Sequence, residues 1–197
     1  HSTMGKCASS AMIHQGRRRN ANEFAGAYGH ELTFEEYRWM ALWLLVRGCN
    51  MFFPHAFYYS IRGPRIDERP RDVGPNSPWW DEYGEFADLT GKLCWINTDS
   101  RHMCRLAILG ISDFLPWEAA KVCFESQRDF NYVTIRELLD KAAVSDGSIR
   151  IAGASYYALI VEKSVEDRLL DTERDAVEGL VKAGIAIRWA GDSGELL

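Results

Sequence analysis

A chain of 197 residues with 47% hydrophobic and 26% charged residues is sized for one large or two small globular domains, and its composition gives no ground for disorder. A net charge of -5 at pH 7 argues against a nucleic-acid partner, which needs a concentrated basic surface. Five cysteines, at positions 7, 49, 94, 104 and 123, follow no disulfide or metal spacing and read as reduced core thiols. Without a signal peptide or an 18-residue apolar run, the chain as given is expected to be soluble and cytoplasmic, with no membrane partner.

His1-Ser-Thr3 resembles an expression-vector remnant and is set aside. Cys7–Gln15 is short and ambiguous, a helical turn ended by Gly16, and Arg17–Arg19 reads as a solvated edge. A strand near Asn20 ends at Glu23. Thr33 followed by Glu36 has the form of a capping box and starts a helix near Phe34. Tyr37, Met40, Ala41, Leu44 and Leu45 lay one apolar stripe along that helix, and Gly48 stops it. Cys49–Tyr59, dense in Phe and Tyr, predicts a strand buried on both faces, as in parallel sheets. Strand, helix and strand together imply a right-handed βαβ crossover.

Ser60–Pro78 holds four of the six prolines and many charges, and predicts a long irregular loop of the kind that carries function. Trp79-Trp80 closes it and leads into a helix over Asp81–Ile96. A second unit begins near Arg101, with expected strands at Leu106–Leu109, Ile149–Ile151, Tyr157–Val161 and Ile185–Trp189. Expected helices alternate with them at Trp117–Asp129, Ile135–Lys141 and Asp171–Ala183. The alternation predicts an open, mostly parallel α/β sheet. The domain ranges are accordingly 4–100 and 101–197.

Glu23 stands where a strand gives way to a glycine-containing loop, the end at which parallel α/β folds build active sites. The competing reading is a surface carboxylate. His55 is either a site residue or a satisfied core histidine. Tyr58, Tyr59, Trp79 and Trp80 are either core or a platform whose ring faces take the C–H face of a pyranose. Arg62, Arg65, Arg69 and Asp72 would then hydrogen-bond its hydroxyls, or else pair with one another as a clasp. Gly153-Ala-Ser155 starts like a nucleophile elbow, but Tyr157 occupies the place of the second glycine, so Ser155 reads as structural. Gly26-Ala-Tyr-Gly29 is too short for a phosphate-cradling loop, which leaves no nucleotide cofactor.

Asn22–Gly29, Arg47–Ser60, Arg62–Arg65, Glu68–Asn76 and Pro78–Trp80 resemble the last part of the (β/α)8 barrel of large bacterial glycoside hydrolases related to the rhamnosidase and β-galactosidase groups. Arg105–Leu109 and Ile151–Tyr157 are similar to the flavodoxin-like or amidotransferase-like domain that follows such barrels. The resemblance implies that Glu23 ends the seventh barrel strand as a catalytic carboxylate, and that the strand ending in His55 is the eighth. Asn22-Glu23 also matches the Asn-Glu of the fourth strand, but only one strand–helix unit follows before the second domain. Strands one to five and the partner carboxylate would then lie outside this chain. Glycoside hydrolysis ordinarily uses two carboxyl groups, about 5 to 5.5 Å apart for retention or about 6.5 to 9.5 Å for inversion. A fragment without full activity is therefore expected, acting on a carbohydrate, using no metal or other cofactor, and self-associating through its open sheet edge. The rival class is a non-catalytic α/β binding or assembly protein.

Overall fold

The computed structural model describes residues 3–67 and 70–190, and among them the architecture is mixed parallel and antiparallel α/β. In chain order the elements are α1 (Met4–His14), β1 (Ala21–Phe24), α2 (Phe34–Leu45), β2 (Met51–Pro54) and α3 (Trp80–Asp99). These are followed by β3 (Leu106–Gly110), α4 (Glu118–Glu125), β4 (Phe130–Thr134), α5 (Ile135–Lys141), β5 (Ala143–Ser145), β6 (Ser148–Ile151) and β7 (Ala154–Tyr156). The chain ends with β8 (Ala158–Glu162), α6 (Lys163–Glu166), α7 (Asp171–Lys182) and β9 (Ala186–Ala190). Among the described residues no helix is long and apolar enough to cross a membrane.

Two compact units result. One is continuous, 18–101; the other joins the first 17 residues to those from 102 onward. The expected ranges, 4–100 and 101–197, put the first helix in the wrong place. α1 is three turns long, not one, and packs along β4 in the second unit. Its inward residues are Lys6, Ser9, Ser10 and His14, so it carries no apolar stripe to betray it.

In the 18–101 unit, β1 and β2 pair in parallel with Ala21 opposite Met51 and Glu23 opposite Phe53. The capping box is formed: the Glu36 N–H donates to Thr33 Oγ1 at 3.2 Å and the Thr33 N–H to Glu36 Oε2 at 2.9 Å. Tyr37, Ala41, Leu44 and Leu45 are buried as the periodicity predicts. The second strand is shorter and barer than expected. It ends at Pro54, which has no N–H to continue a ladder, and Phe53 is 56% exposed. No third strand lies beside the pair among the described residues, so only the face carrying Phe24 and Phe52 is packed.

The second unit is a four-stranded parallel sheet of order β4-β3-β8-β9 with a three-stranded antiparallel meander, β5-β6-β7. Both faces of the parallel sheet are covered, and the two cores interleave along each strand. Ala107, Leu109, Leu159 and Val161 face one core, shared with the meander and α7; Ile108, Tyr132 and Ile160 face the other, shared with α4. The helix expected over Trp117–Asp129 stops at Glu125, because Gln127 takes a left-handed φ of 54°. Ser155 lies within β7, which supports the structural reading of the failed elbow motif.

A polar seam docks α1. The Ser10 hydroxyl donates to the Lys6 carbonyl at 2.6 Å and accepts the Tyr132 N–H at 3.0 Å, covering the free edge of β4. His14 Nε2 lies 2.6 Å from the Tyr156 hydroxyl, which also accepts from Asn131 at 3.0 Å. Asp129 pairs with both Lys6 and His102. Burial pushes its carboxyl up, but His102 and Lys6 outweigh this and hold it well below the usual carboxylate range. Glu137 is treated alike: burial raises it, while His14, 3.5 Å away, and the Thr134 cap bring it from 4.5 down to about 2. A carboxyl with a depressed folded pKa contributes stability above its ordinary value, and that contribution disappears as pH falls through the folded one. Stability should therefore fall between pH 4.5 and about 2 as Glu137 protonates, and Glu137→Gln should flatten that acid limb in urea melts at stepped pH. A variant as acid-sensitive as the parent would remove Glu137 from the seam.

Candidate functional site

Strand register sets the site. Glu23 is opposite Phe53, and side chains alternate along a strand, so Glu23, Phe53 and His55 lie on the same side of the pair at its carboxyl end. Glu23 Oε1 stands 3.4 Å from His55 Nδ1, with the two side chains 67% and 43% exposed. The backbone at Gly26 passes close to both. A Cβ on Gly26 would lie 3.1 Å from His55 Nδ1 and 3.6 Å from Glu23 Oε1, so this close approach is open only to glycine or to a shifted imidazole. Ala25, just before it, takes a left-handed φ of 64°, and the His55–Ala56 peptide bond is cis.

The loop after His55 is organised from inside by Asp72. Its buried carboxylate accepts the N–H groups of Tyr58 at 3.1 Å, Gly74 at 2.9 Å and Asn76 at 3.1 Å. Three backbone donors leave it little capacity for a ligand, so its assignment to sugar hydroxyls gives way to that of a loop clasp. Tyr58 is half-buried and donates its hydroxyl to the Pro70 carbonyl at 3.3 Å. Arg62 and Arg65 are exposed, and the Arg65 guanidinium sits over the Tyr59 ring at 5.5 Å. Tyr59 itself is 91% exposed. Arg69 lies outside the described residues.

The two adjacent tryptophans part company. Trp79 is buried against Phe34 and Tyr37, with Arg71 over its ring at 5.7 Å, and has no open face for a sugar. That expectation is corrected: the ring is needed in the core between α2 and α3. Trp80 is 38% exposed and stacks on Tyr83, with centroids 5.7 Å apart and planes inclined by 17°. Phe57, more than half exposed, meets both rings edge-on at 6.0 and 5.9 Å. Tyr83 and Phe57 complete this corner and were not predicted for it, since one reads as a helix-core position and the other as strand interior. Gly74 passes close beneath: an added Cβ would come within 2.8 Å of the Phe57 ring.

Beside Glu23 the near titratable neighbour is a histidine, and among the described residues no group of three His, Cys, Asp or Glu could hold a metal ion. Burial favours the protonated form of the thiols. Burial pushes Cys94, Cys104 and Cys123 up to about 11 and raises Cys7 and Cys49 as well.

No family model and no curated protein matches the chain. Among solved structures it is similar to a rhamnosidase from Novosphingobium sp. PP1Y, with a TM-score of 0.65 and 12% identity, over 96% of this chain and 19% of that one. The likeness is one of α/β fold alone, and the chain spans 19% of the length of the structure it matches.

The clasp separates structural from ligand-contacting residues. Asp72→Ala would strand three N–H groups, and at about 1–3 kcal/mol for each unmet buried donor, partly offset by water, a loss of about 2–4 kcal/mol is expected by denaturant titration. A stability within about 0.5 kcal/mol of the parent would return Asp72 to the ligand-contacting set.

Proposed function

We propose that this chain is part of a carbohydrate-active glycoside hydrolase. The 18–101 unit would be the closing part of a (β/α) barrel, and the parallel-sheet unit a flavodoxin-like or amidotransferase-like domain. The supporting observation is the meeting of Glu23 and His55 at 3.4 Å on the carboxyl ends of two parallel strands. An exposed aromatic corner, Trp80 with Tyr83 and Phe57, is built from the segment that leaves those ends. In this reading Glu23 is one member of the carboxylate pair and acts as nucleophile or base. His55 holds or polarises it, and Trp80 offers the ring face on which a pyranose stacks. Tyr58, Tyr59, Arg62 and Arg65 flank the subsite in the same proposal.

One observation favours binding over catalysis in the isolated chain. Glu23 is 67% exposed, and among the described residues its near titratable neighbour is a histidine and not the second carboxyl group that glycoside hydrolysis ordinarily uses, so water reaches it and the pair is incomplete. The 197-residue chain is accordingly expected to leave a panel of nitrophenyl glycosides unhydrolysed above background, yet to bind a matching methyl glycoside weakly. Tryptophan fluorescence would follow that binding, and Trp80→Ala should abolish the response. Turnover that is lost in Glu23→Gln would replace this reading with a complete small enzyme, and a response unchanged in Trp80→Ala would remove the sugar platform.

We also propose that the chain self-associates. Among the described residues no further strand flanks the two-stranded sheet, and Trp39, Phe53 and Trp95 stand 62%, 56% and 68% exposed in the same unit. A second copy covering this surface should appear as a dimer or larger species in sedimentation at micromolar concentration, whereas a stable monomer would overturn the proposal.

A further inference from the structure

The parallel sheet of the second unit has a switch point of its own. From β3 the chain moves to β4 on one side, then crosses to β8 on the other, so the loops leaving β3 and β8 diverge and a crevice opens at their carboxyl ends. Open parallel sheets bind ligands at this place for that reason. A cavity of about 550 Å3 lies at this end of the sheet, bounded by the turn after β3, by α5, which follows β4, and by the segment from Arg168 to the start of α7. The volume is that of a small-molecule site.

Its lining is chemically specific. Ser112 and Asp113 form the tip of a tight turn after β3, closed by Ile111 N–H to Phe114 carbonyl at 2.9 Å and by the reverse bond at 3.3 Å. Gly110, at the strand end, lets Leu115 fold in: a Cβ there would lie 2.5 Å from the leucine side chain. Arg168 reaches the same turn, its guanidinium held over the Phe114 ring at 4.3 Å. Neither the Asp113 carboxylate nor the Arg168 guanidinium has a hydrogen-bond or ion-pair partner among the described residues. Both groups are exposed and hydrated, so a ligand would exchange water for an acceptor at Asp113 and donors at Arg168, while the exposed Leu139 and Leu170 add an apolar surface.

The remaining charges select among ligands. Arg136 is paired with Asp140 at 3.3 Å, and Glu173 caps α7 by accepting the Leu170 N–H at 2.9 Å. Counting Arg136 and Arg168 against Asp113, Asp140 and Glu173, the crevice carries two positive and three negative charges. An anion meets net repulsion, and a simple amine leaves Arg168 unused. A neutral polyol uses both groups, its hydroxyls donating to Asp113 and accepting from Arg168 while its C–H face covers the leucines. A zwitterion would also use both, but its carboxylate would enter a field of net negative charge.

We propose that this crevice is a binding site for a neutral monosaccharide or small polyol, separate from the Glu23–His55 site. The test uses the whole chain, titrated with methyl glucoside, methyl galactoside and methyl rhamnoside while backbone amide shifts are followed by NMR. Saturable shifts at Ser112–Phe114 and Arg168–Leu170 are expected for at least one sugar. Asp113→Ala should weaken this binding about tenfold, the value of one hydrogen bond to a charged group. Glu23→Gln and Trp80→Ala, both in the other unit, should leave it unchanged, which separates failure here from failure of the function proposed above. The inference is overturned if no shifts appear up to roughly 50 mM sugar, well beyond a millimolar dissociation constant. It is equally overturned if Asp113→Ala binds as the parent does, or if glutamine or inorganic phosphate saturates these amides and the sugars do not.

Discussion

The parallel register of two four-residue strands is the constraint on which the 18–101 unit depends. A slip by one residue would turn Glu23 or His55 to the opposite face and dissolve the site. Hydrogen bonding in so short a ladder is a weak guarantee, and asparagines supply what is missing. Asn50 Oδ1 accepts the Asn20 N–H at 2.7 Å, and its amide donates to the Arg18 carbonyl at 2.9 Å. Asn20 reaches the Gly48 carbonyl at 3.0 Å, so the start of each strand is tied to the approach of the other. From α3, Asn97 donates to the carbonyls of Leu45 and Cys49 at 2.9 and 3.0 Å, fixing the turn that delivers β2. Asn20 and Asn50 are almost fully buried, where each unmet polar group would cost about 1–3 kcal/mol. That cost opposes any other register.

The parallel-sheet unit solves a related problem with a helix. An edge strand offers unpaired N–H and C=O groups, and β4 would be such an edge on the side away from β3. α1 covers it, with Ser10 standing in for a neighbouring strand at the Tyr132 N–H. The charges that come with this docking are neutralised in place: Lys6, only 2% exposed, meets Asp129, and His14 lies between Tyr156 and Glu137. A buried lysine without its carboxylate would be strongly destabilising, so the seam makes the position of α1 specific more than it makes it tight.

These two devices mark the boundary of what could be read from the sequence. Where apolar spacing or capping chemistry governs, as in α2 from Thr33 to Leu45 or in the strand at Leu106, the elements were legible because burial follows a period of 3.6 or 2. α1 escaped because its inner face is Lys, Ser and His. β2 was drawn too long because aromatic density signals burial, whereas Phe57 and Tyr59 are exposed beyond Pro54. The Glu23–His55 pairing was legible from topology alone, since parallel strands bring their carboxyl ends together. The fates of Trp79 and Trp80 were not, because adjacent residues at a helix start point about 100° apart and only the packed neighbours decide which one is core. Asp72 stayed open between ligand and clasp for a similar reason: a carboxylate in a charged loop looks the same in sequence whether it faces a ligand or its own backbone.

The clasp and the aromatic corner are parts of one arrangement. A ring face can select a flat C–H surface only if it is presented at a fixed angle, because ordering loose aromatic side chains on binding costs roughly 0.5–1.5 kcal/mol for each. Trp80 is anchored on α3, while Phe57 belongs to the loop and would be the mobile member. Asp72 removes that freedom by tying Tyr58, Gly74 and Asn76 around a single carboxylate, and Gly74 lets the Phe57 ring settle against the backbone it would otherwise strike. The buried acid thus fixes the backbone from which the exposed Phe57 ring projects. The loop's charge and its aromatic character, which in the sequence look like parallel contributions to recognition, divide into a frame and a face.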